Sequence, residues 1–128
     1  MTHNNLGKLN ERPLAFTDLE TSGDVFGEHE IIEIGLVMVD QKSLQILDTL
    51  NVKVKPEHIA NAIPAAIERN GYMEENWKDA ISLKEAMEMY AEKSEEAIFI
   101  AYNATFDWGF MNEAFRKSCI KDSSFERC

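Results

Sequence analysis

The stretch FTDLETSG, Phe16 to Gly23, decides how this chain is read. An apolar strand has just begun, yet it places Asp18 and Glu20 two residues apart and then stops on Thr-Ser-Gly. Side chains alternate along a strand, so the two acids share one face with Leu14 and Phe16. Carboxylates held side by side repel, and burial pushes at least one pKa upward unless a cation sits between them. A hard divalent ion is the simplest such cation. Oxygen-only ligands suit Mg²⁺ or Mn²⁺, and no His or Cys stands close in the chain to favour zinc. Gly23 permits a tight turn that leaves the pair at the strand's end, where open α/β sheets carry their sites. The competing reading of this stretch is an edge strand with two solvated acids, so a third ligand is needed to decide.

Working outward, the loop SGDVFGEHE leads to IIEIGLVMVD, a nearly continuous apolar run expected to be a strand buried on both faces. In QILDTLNVKVKP, Leu50, Val52 and Val54 alternate with Asn51, Lys53 and Lys55, a third strand with one wet face. Short connections predict that these three strands form an antiparallel meander. Pro64 and Gly71 bracket a short helix, and Ser82 with Glu85 forms a capping box before Leu83, Ala86, Met87, Tyr90 and Ala91 at helical spacing. That Met and Tyr stripe reads as core. AIFIAYN is a short strand fed by the preceding helix and so parallel to the first, and ATFDWGFMNEAFRKS has helical periodicity.

Asp107 is the anomaly in this last helix, because it shares the apolar stripe of Phe110, Met111 and Ala114. With Asn103 as N-cap, Asp107 lies in the first turn, where the helix dipole favours its charge by ~0.3–1 kcal/mol. That is too little to offset burial of a carboxylate, so a stronger partner is expected, either a metal shared with Asp18 and Glu20 or a capping or salt-bridging contact.

FTDLETSG on the first strand, HEIIEIG opening the second, and YNATFDWGFM at a strand-to-helix junction together resemble the DEDD 3′-5′ exonucleases, with their D-x-E-T and N-x-x-x-D motifs. The resemblance covers about Leu14 to Phe115. It implies an α/β, ribonuclease H-like exonuclease fold: a mixed sheet of three antiparallel strands followed by a parallel strand, flanked by helices. It further implies that Asp18, Glu20 and Asp107 are catalytic and metal ligands for two Mg²⁺ or Mn²⁺ ions. These would activate a water for in-line attack on the terminal phosphodiester and release nucleoside monophosphates. Leu19, Thr21, Asn103 and Phe106 match positions that contact the terminal nucleotide or line its cleft. The implied partners are single-stranded DNA or RNA 3′ ends, with a polymerase or a second copy as further partners.

The family's fourth acid, carried in H-x-A-x-x-D or Y-x-x-x-D, is not met after Asp107. HIANAI places His58 and Ala60 correctly, but Ile63 stands where the acid belongs, and the string precedes the second motif. The chain thus reads as an N-terminal extension over 1–13 and an exonuclease domain over 14–128 that is C-terminally truncated and impaired in isolation. Glu33 reads as a structural partner before a fourth ligand, His29 as a loop residue before a base, and Trp77 and Trp108 as packing before base-stacking platforms.

The 128 residues are 45% hydrophobic and 28% charged, which fits one soluble domain. A net charge of −10 argues against affinity built on broad phosphate neutralisation but not against metal-mediated phosphate binding. The chain shows neither a signal peptide nor a membrane-spanning run, so the expected place is cytoplasmic. Cys119 and Cys128 are expected to be free reduced thiols. Two further readings stand beside the exonuclease: a non-catalytic module binding a nucleic-acid end or a protein, and a haloacid-dehalogenase-like phosphatase. The latter needs D-x-D where this chain has D-x-E. The motifs do not choose between DNA and RNA.

Overall fold

The computed structural model describes residues 9–118. Cys119 and Cys128, and with them the expected free thiols, lie outside the described residues. Strands β1 (Leu14–Thr21), β2 (Ile31–Val39) and β3 (Ile46–Lys53) come first. Helices α1 (Pro64–Asn70) and α2 (Leu83–Lys93), strand β4 (Ile98–Ile100) and helix α3 (Ala104–Ser118) follow, with short 3₁₀ turns at Leu9–Glu11, Ile59–Asn61 and Glu74–Trp77. The four strands form one sheet in the order β3-β2-β1-β4. β1–β2 and β2–β3 pair antiparallel, and β4 runs parallel to β1, the mixed sheet expected from the apolar runs and their connections.

One face of the sheet carries the core. Ala15 and Leu19 of β1, Ile34, Leu36 and Met38 of β2, and Leu50 of β3 pack against Ala86, Met87 and Tyr90 of α2 and Phe110, Met111, Ala114 and Phe115 of α3. Thr17 is the polar residue in this row, and its hydroxyl meets the Tyr90 hydroxyl at 2.7 Å. The other face is different. Phe16 and Asp18 are exposed and Glu33, Gly35 and Val37 are only half-buried, so β2 is not buried on both faces as its apolar run suggests. An apolar run reports strand propensity on both faces but cannot say whether a layer lies over each.

Local chemistry sets the element ends. Ser82 accepts a hydrogen bond from the Glu85 N–H at 3.1 Å and the reciprocal contact is present, completing the capping box that starts α2. α1 opens on Pro64 and closes on Gly71, whose φ of 73° is the left-handed conformation that glycine adopts without strain. Residues 9–12 are pinned to the β2–β3 turn, where the Gln41 amide donates to the carbonyls of Leu9 and Arg12 at 2.9 and 3.0 Å. Among the described residues no helix is long and apolar enough to cross a membrane.

Gly23 is needed for a reason other than turn geometry. Its backbone does not take the left-handed conformation; a Cβ there would lie 2.4 Å from the His29 ring. His29 is buried, and its Nδ1 accepts the Val25 N–H at 3.1 Å, so the ring is held in place inside the β1–β2 loop. Ser22 supports the same loop, its hydroxyl accepting from the Glu30 N–H at 2.9 Å. His29 is therefore a structural residue, in line with the loop reading. Gly23→Ala should lower the free energy of unfolding by about 1–3 kcal/mol, the usual cost of overpacking a filled site. In urea titrations the double variant Gly23→Ala/His29→Ala should then lose less than the sum of the two single changes.

Candidate metal and nucleic-acid site

The site is built on the end of β4. This strand has three residues, and its pairing with β1 runs from Leu14↔Ile98 to Phe16↔Ile100. Among the described residues, β1 from Asp18 onward keeps its neighbour β2 on one side and has no strand on the other. The chain leaves β4 through Ala101–Asn103 and enters α3 at once, so the first turn of α3 lies beside this unpaired half of β1. The Asp107 N–H bonds to the Asn103 carbonyl at 3.0 Å, which makes Asn103 the residue where the α3 ladder starts.

Asp18 lies on the open face, opposite Gly35 of β2, and Glu20 lies two residues on, opposite Glu33. The pairing of β1 with β2 slips between Glu20 and Thr21, a bulge at the end of the acid pair. Asp107 is 7% exposed and shares its helix face with Phe110, Met111 and Ala114. Burial pushes the Asp107 carboxyl above its ordinary value, and the charge of Asp18 pushes it further in the same direction. Burial likewise raises Glu20, aided by Asp18 and then Glu33, while Arg69 pulls it down. The helix dipole at the α3 start favours the Asp107 carboxylate by less than ~1 kcal/mol, which is why burial decides the direction.

The charge of Asp18 thus acts on both Glu20 and Asp107, and Glu33 adds to it at Glu20. Among the described residues no three carboxylate, histidine or cysteine side chains are arranged as a ready cage for an ion. Carboxylates held near one another without a cation repel, which is the direction in which Asp18 moves Glu20 and Asp107. The donor set is oxygen only, which fits a hard divalent ion.

The other residues expected at the site are placed as follows. Leu19 and Thr21 turn their side chains into the buried face, and the Thr21 hydroxyl donates to the Gly23 carbonyl at 2.6 Å. Asn103 is exposed, and Phe106 is half-buried, 5.0 Å from the Phe110 ring and 6.2 Å from the Phe26 ring. Phe26, from the β1–β2 loop, also meets Phe110 at 5.0 Å edge-on. It sits where a Cβ on Gly109 would fall, so Gly109 is the seat that lets the loop dock on α3 beside Asp107. A cleft of about 550 Å³ on the open face runs from Asp18 past Gly35 and Phe16 to Tyr102. His58 stands apart, in a groove with Lys55 and Glu113. Trp77 is buried with its indole N–H donating to the Ile32 carbonyl at 2.8 Å, and Trp108 packs on Phe99 at 5.5 Å, so both are packing residues.

The sequence reading passed over Arg69, Phe26 and Gly109. A cation 49 residues from Glu20 and 38 from Asp107, or a glycine in a helix, carries no local signal. Cross-strand and loop-to-helix contacts bring them to the site.

Comparison with known proteins gives the family and the fold. A family model described as an exonuclease family, RNase T, matches residues 15–126. Ribonuclease T of Shewanella sp. (strain W3-18-1) is 32% identical over 121 residues, covering 84% of this chain and 54% of that protein. The 3′-5′ exonuclease DinG of Staphylococcus aureus (strain MRSA252) is 32% identical over 108 residues, covering 84% of this chain and 12% of that protein. The chain spans about half the length, 54%, of the ribonuclease T relative. Among solved structures, Escherichia coli exonuclease I in complex with a dT13 oligonucleotide superposes with a TM-score of 0.74 at 14% identity, over 84% of this chain and 24% of that one. The sheet order and this likeness give the ribonuclease H-like fold implied by the motifs. With the D-x-E-T and N-x-x-x-D motifs inside the matched segment, the chain belongs to the RNase T family of DEDD-type 3′-5′ exonucleases.

Proposed function

We propose that this domain is a metal-dependent 3′-5′ exonuclease domain acting on single-stranded nucleic-acid ends, with Asp18, Glu20 and Asp107 as its metal ligands. The observation that carries this reading is the meeting of Asp107, buried in the first turn of α3, with Asp18 on the unpaired half of β1. Burial of a carboxylate beside another carboxylate is costly, and an ion held between them offsets that cost. Asp18, Glu20 and Asp107 would hold divalent ions there, which would supply charge neutralisation and water activation for attack on the terminal phosphodiester.

The chain's own residues then position the strand. With the side chains of Leu19 and Thr21 turned inward, the terminal nucleotide meets the backbone of β1. Asn103 offers an exposed amide at the start of α3, and the half-buried Phe106 ring, braced by Phe26 and Phe110, forms one wall. The dT13 strand bound by exonuclease I and the name of ribonuclease T support single-stranded DNA and RNA respectively as the substrate class. Mg²⁺ or Mn²⁺ suits the all-oxygen donor set.

Ion binding is readable without turnover. Mn²⁺ at about a hundred times its Kd should stabilise the fold by ~2.7 kcal/mol, a rise of several degrees in Tm, and Asp18→Asn should remove that rise. If wild type and Asp18→Asn respond alike to Mn²⁺, the ion is not held by these acids.

Without ions the acids weaken the fold in a pH-dependent way. Glu20 and Asp107 have raised pKa values in the folded state, so the folded chain holds their protons more tightly than the unfolded chain. Their contribution is therefore favourable below the ordinary carboxylate range and is lost as pH rises through the raised values. In metal-free buffer Asp107→Asn should be more stable than wild type at pH 7, with the difference shrinking as the pH falls through the carboxylate range. A difference that stays constant with pH would sever Asp107 from the cluster.

The reading as a whole is tested with 3′-labelled single-stranded DNA and RNA in Mn²⁺. Stepwise release of nucleoside monophosphates, reduced at least ~10²-fold in Asp107→Ala, is the expected result. Binding of the strand with no release above the variant would make the domain a nucleic-acid-end binding module instead.

A further inference from the structure

We propose that Arg69 binds a backbone phosphate of the strand whose end lies at Asp18, Glu20 and Asp107, an inference that rests on the exonuclease reading above. Arg69 lies in the last turn of α1. Both ends of that helix are tied to the end of β1. The Asn70 amide donates to the Thr21 carbonyl at 3.0 Å, and the Ile63 N–H donates to the Ser22 carbonyl at 2.8 Å. The residue before Asn70 is thus carried to the end of β1, one residue beyond Glu20.

Three properties of this cation point to a phosphate. It is exposed, and among the described residues the ion pairs are Lys93–Asp48 and Arg116–Glu113, so Arg69 holds no carboxylate within ion-pair distance. This leaves the guanidinium fork open. The chain around it carries a net charge of −10, so a polyanion approaching the acids meets repulsion everywhere except at such a cation. Lys53, the cross-strand neighbour of Glu33, is engaged with the Trp77 ring, its Nζ 4.9 Å from the centroid. A planar guanidinium takes two phosphate oxygens at once, which suits it to fix the phosphodiester next to the scissile one.

The test is binding of a fluorescein-labelled oligothymidylate by the full chain, followed by anisotropy in Ca²⁺ between about 50 and 200 mM salt. Arg69→Ala should weaken binding about tenfold and flatten the slope of log affinity against log salt by ~0.7, the loss of one phosphate contact on a single strand. Arg69→Lys keeps the charge and should keep the slope, with affinity between the two. Lys42→Ala removes the same charge from the β2–β3 turn, at the opposite end of the sheet from the acids, and should leave the slope unchanged. An unaltered slope in Arg69→Ala, or an equal flattening in Lys42→Ala, overturns the assignment while leaving the exonuclease reading in place. Failure of the wild-type chain to bind the strand at all overturns both, and is seen before any variant is compared.

Discussion

The short parallel strand β4 is the constraint on which the site depends. Had it run the length of β1, main-chain pairing would have filled the edge beside Asp18 and Glu20 and pushed α3 further along the sheet. By stopping opposite Phe16 it leaves β1 half-paired, and the next element to arrive is a helix N-terminus instead of a strand. That exchange places the backbone N–H groups and side chain of the first turn of α3 next to the acids. Asp107 then shares the buried helix face of Phe110 and Met111 and lies within reach of the charge of Asp18.

The cluster so formed works against the fold that creates it. Core packing is what seats α3: Phe110, Met111, Ala114 and Phe115 are buried against the sheet and against Met87 and Tyr90. The same packing desolvates Asp107, and the strand alternation that buries Leu19 also fixes Asp18 and Glu20 on one face. Apolar burial of these side chains is what fixes the helix that carries Asp107 against the strand that carries Asp18. A site of this kind is preorganised by its hydrophobic support and not by its own attractions. Phe26, lodged on Gly109 between Phe106 and Phe110, extends that support from the β1–β2 loop to the helix turn that carries Asp107.

What was legible in the sequence was what is local or periodic. The D-x-E pair declares its shared face by alternation alone, the Ser82–Glu85 box declares the start of α2, and Asp107 stands out because it interrupts an apolar stripe. The three antiparallel strands and the parallel fourth followed from apolar runs and connection lengths. Other features depend on partners far apart in the chain. The uncovered face of β2, the His29 ring against Gly23, and Glu33 opposite Glu20 all require a register or a layer that no local pattern states. Gly23 shows the difference well: a glycine after a strand reads as a turn residue, yet its backbone is ordinary and its side chain is excluded by a ring six positions on. The inward side chains of Leu19 and Thr21 were implicit in the same alternation that placed the acids.

Glu33 illustrates why the acids at this rim need a cation from outside the sheet. Across the strands it faces Glu20 on one side and Lys53 on the other, and Lys53 leans to Trp77. The cross-strand pair that could have neutralised the row is thus diverted to an aromatic ring, and the charge of Glu33 adds to the forces that raise Glu20. The opposing charge comes from α1, whose last turn is fastened to the end of β1 by Asn70. The sheet supplies the negative face, and the elements packed at its end decide what that face can bind.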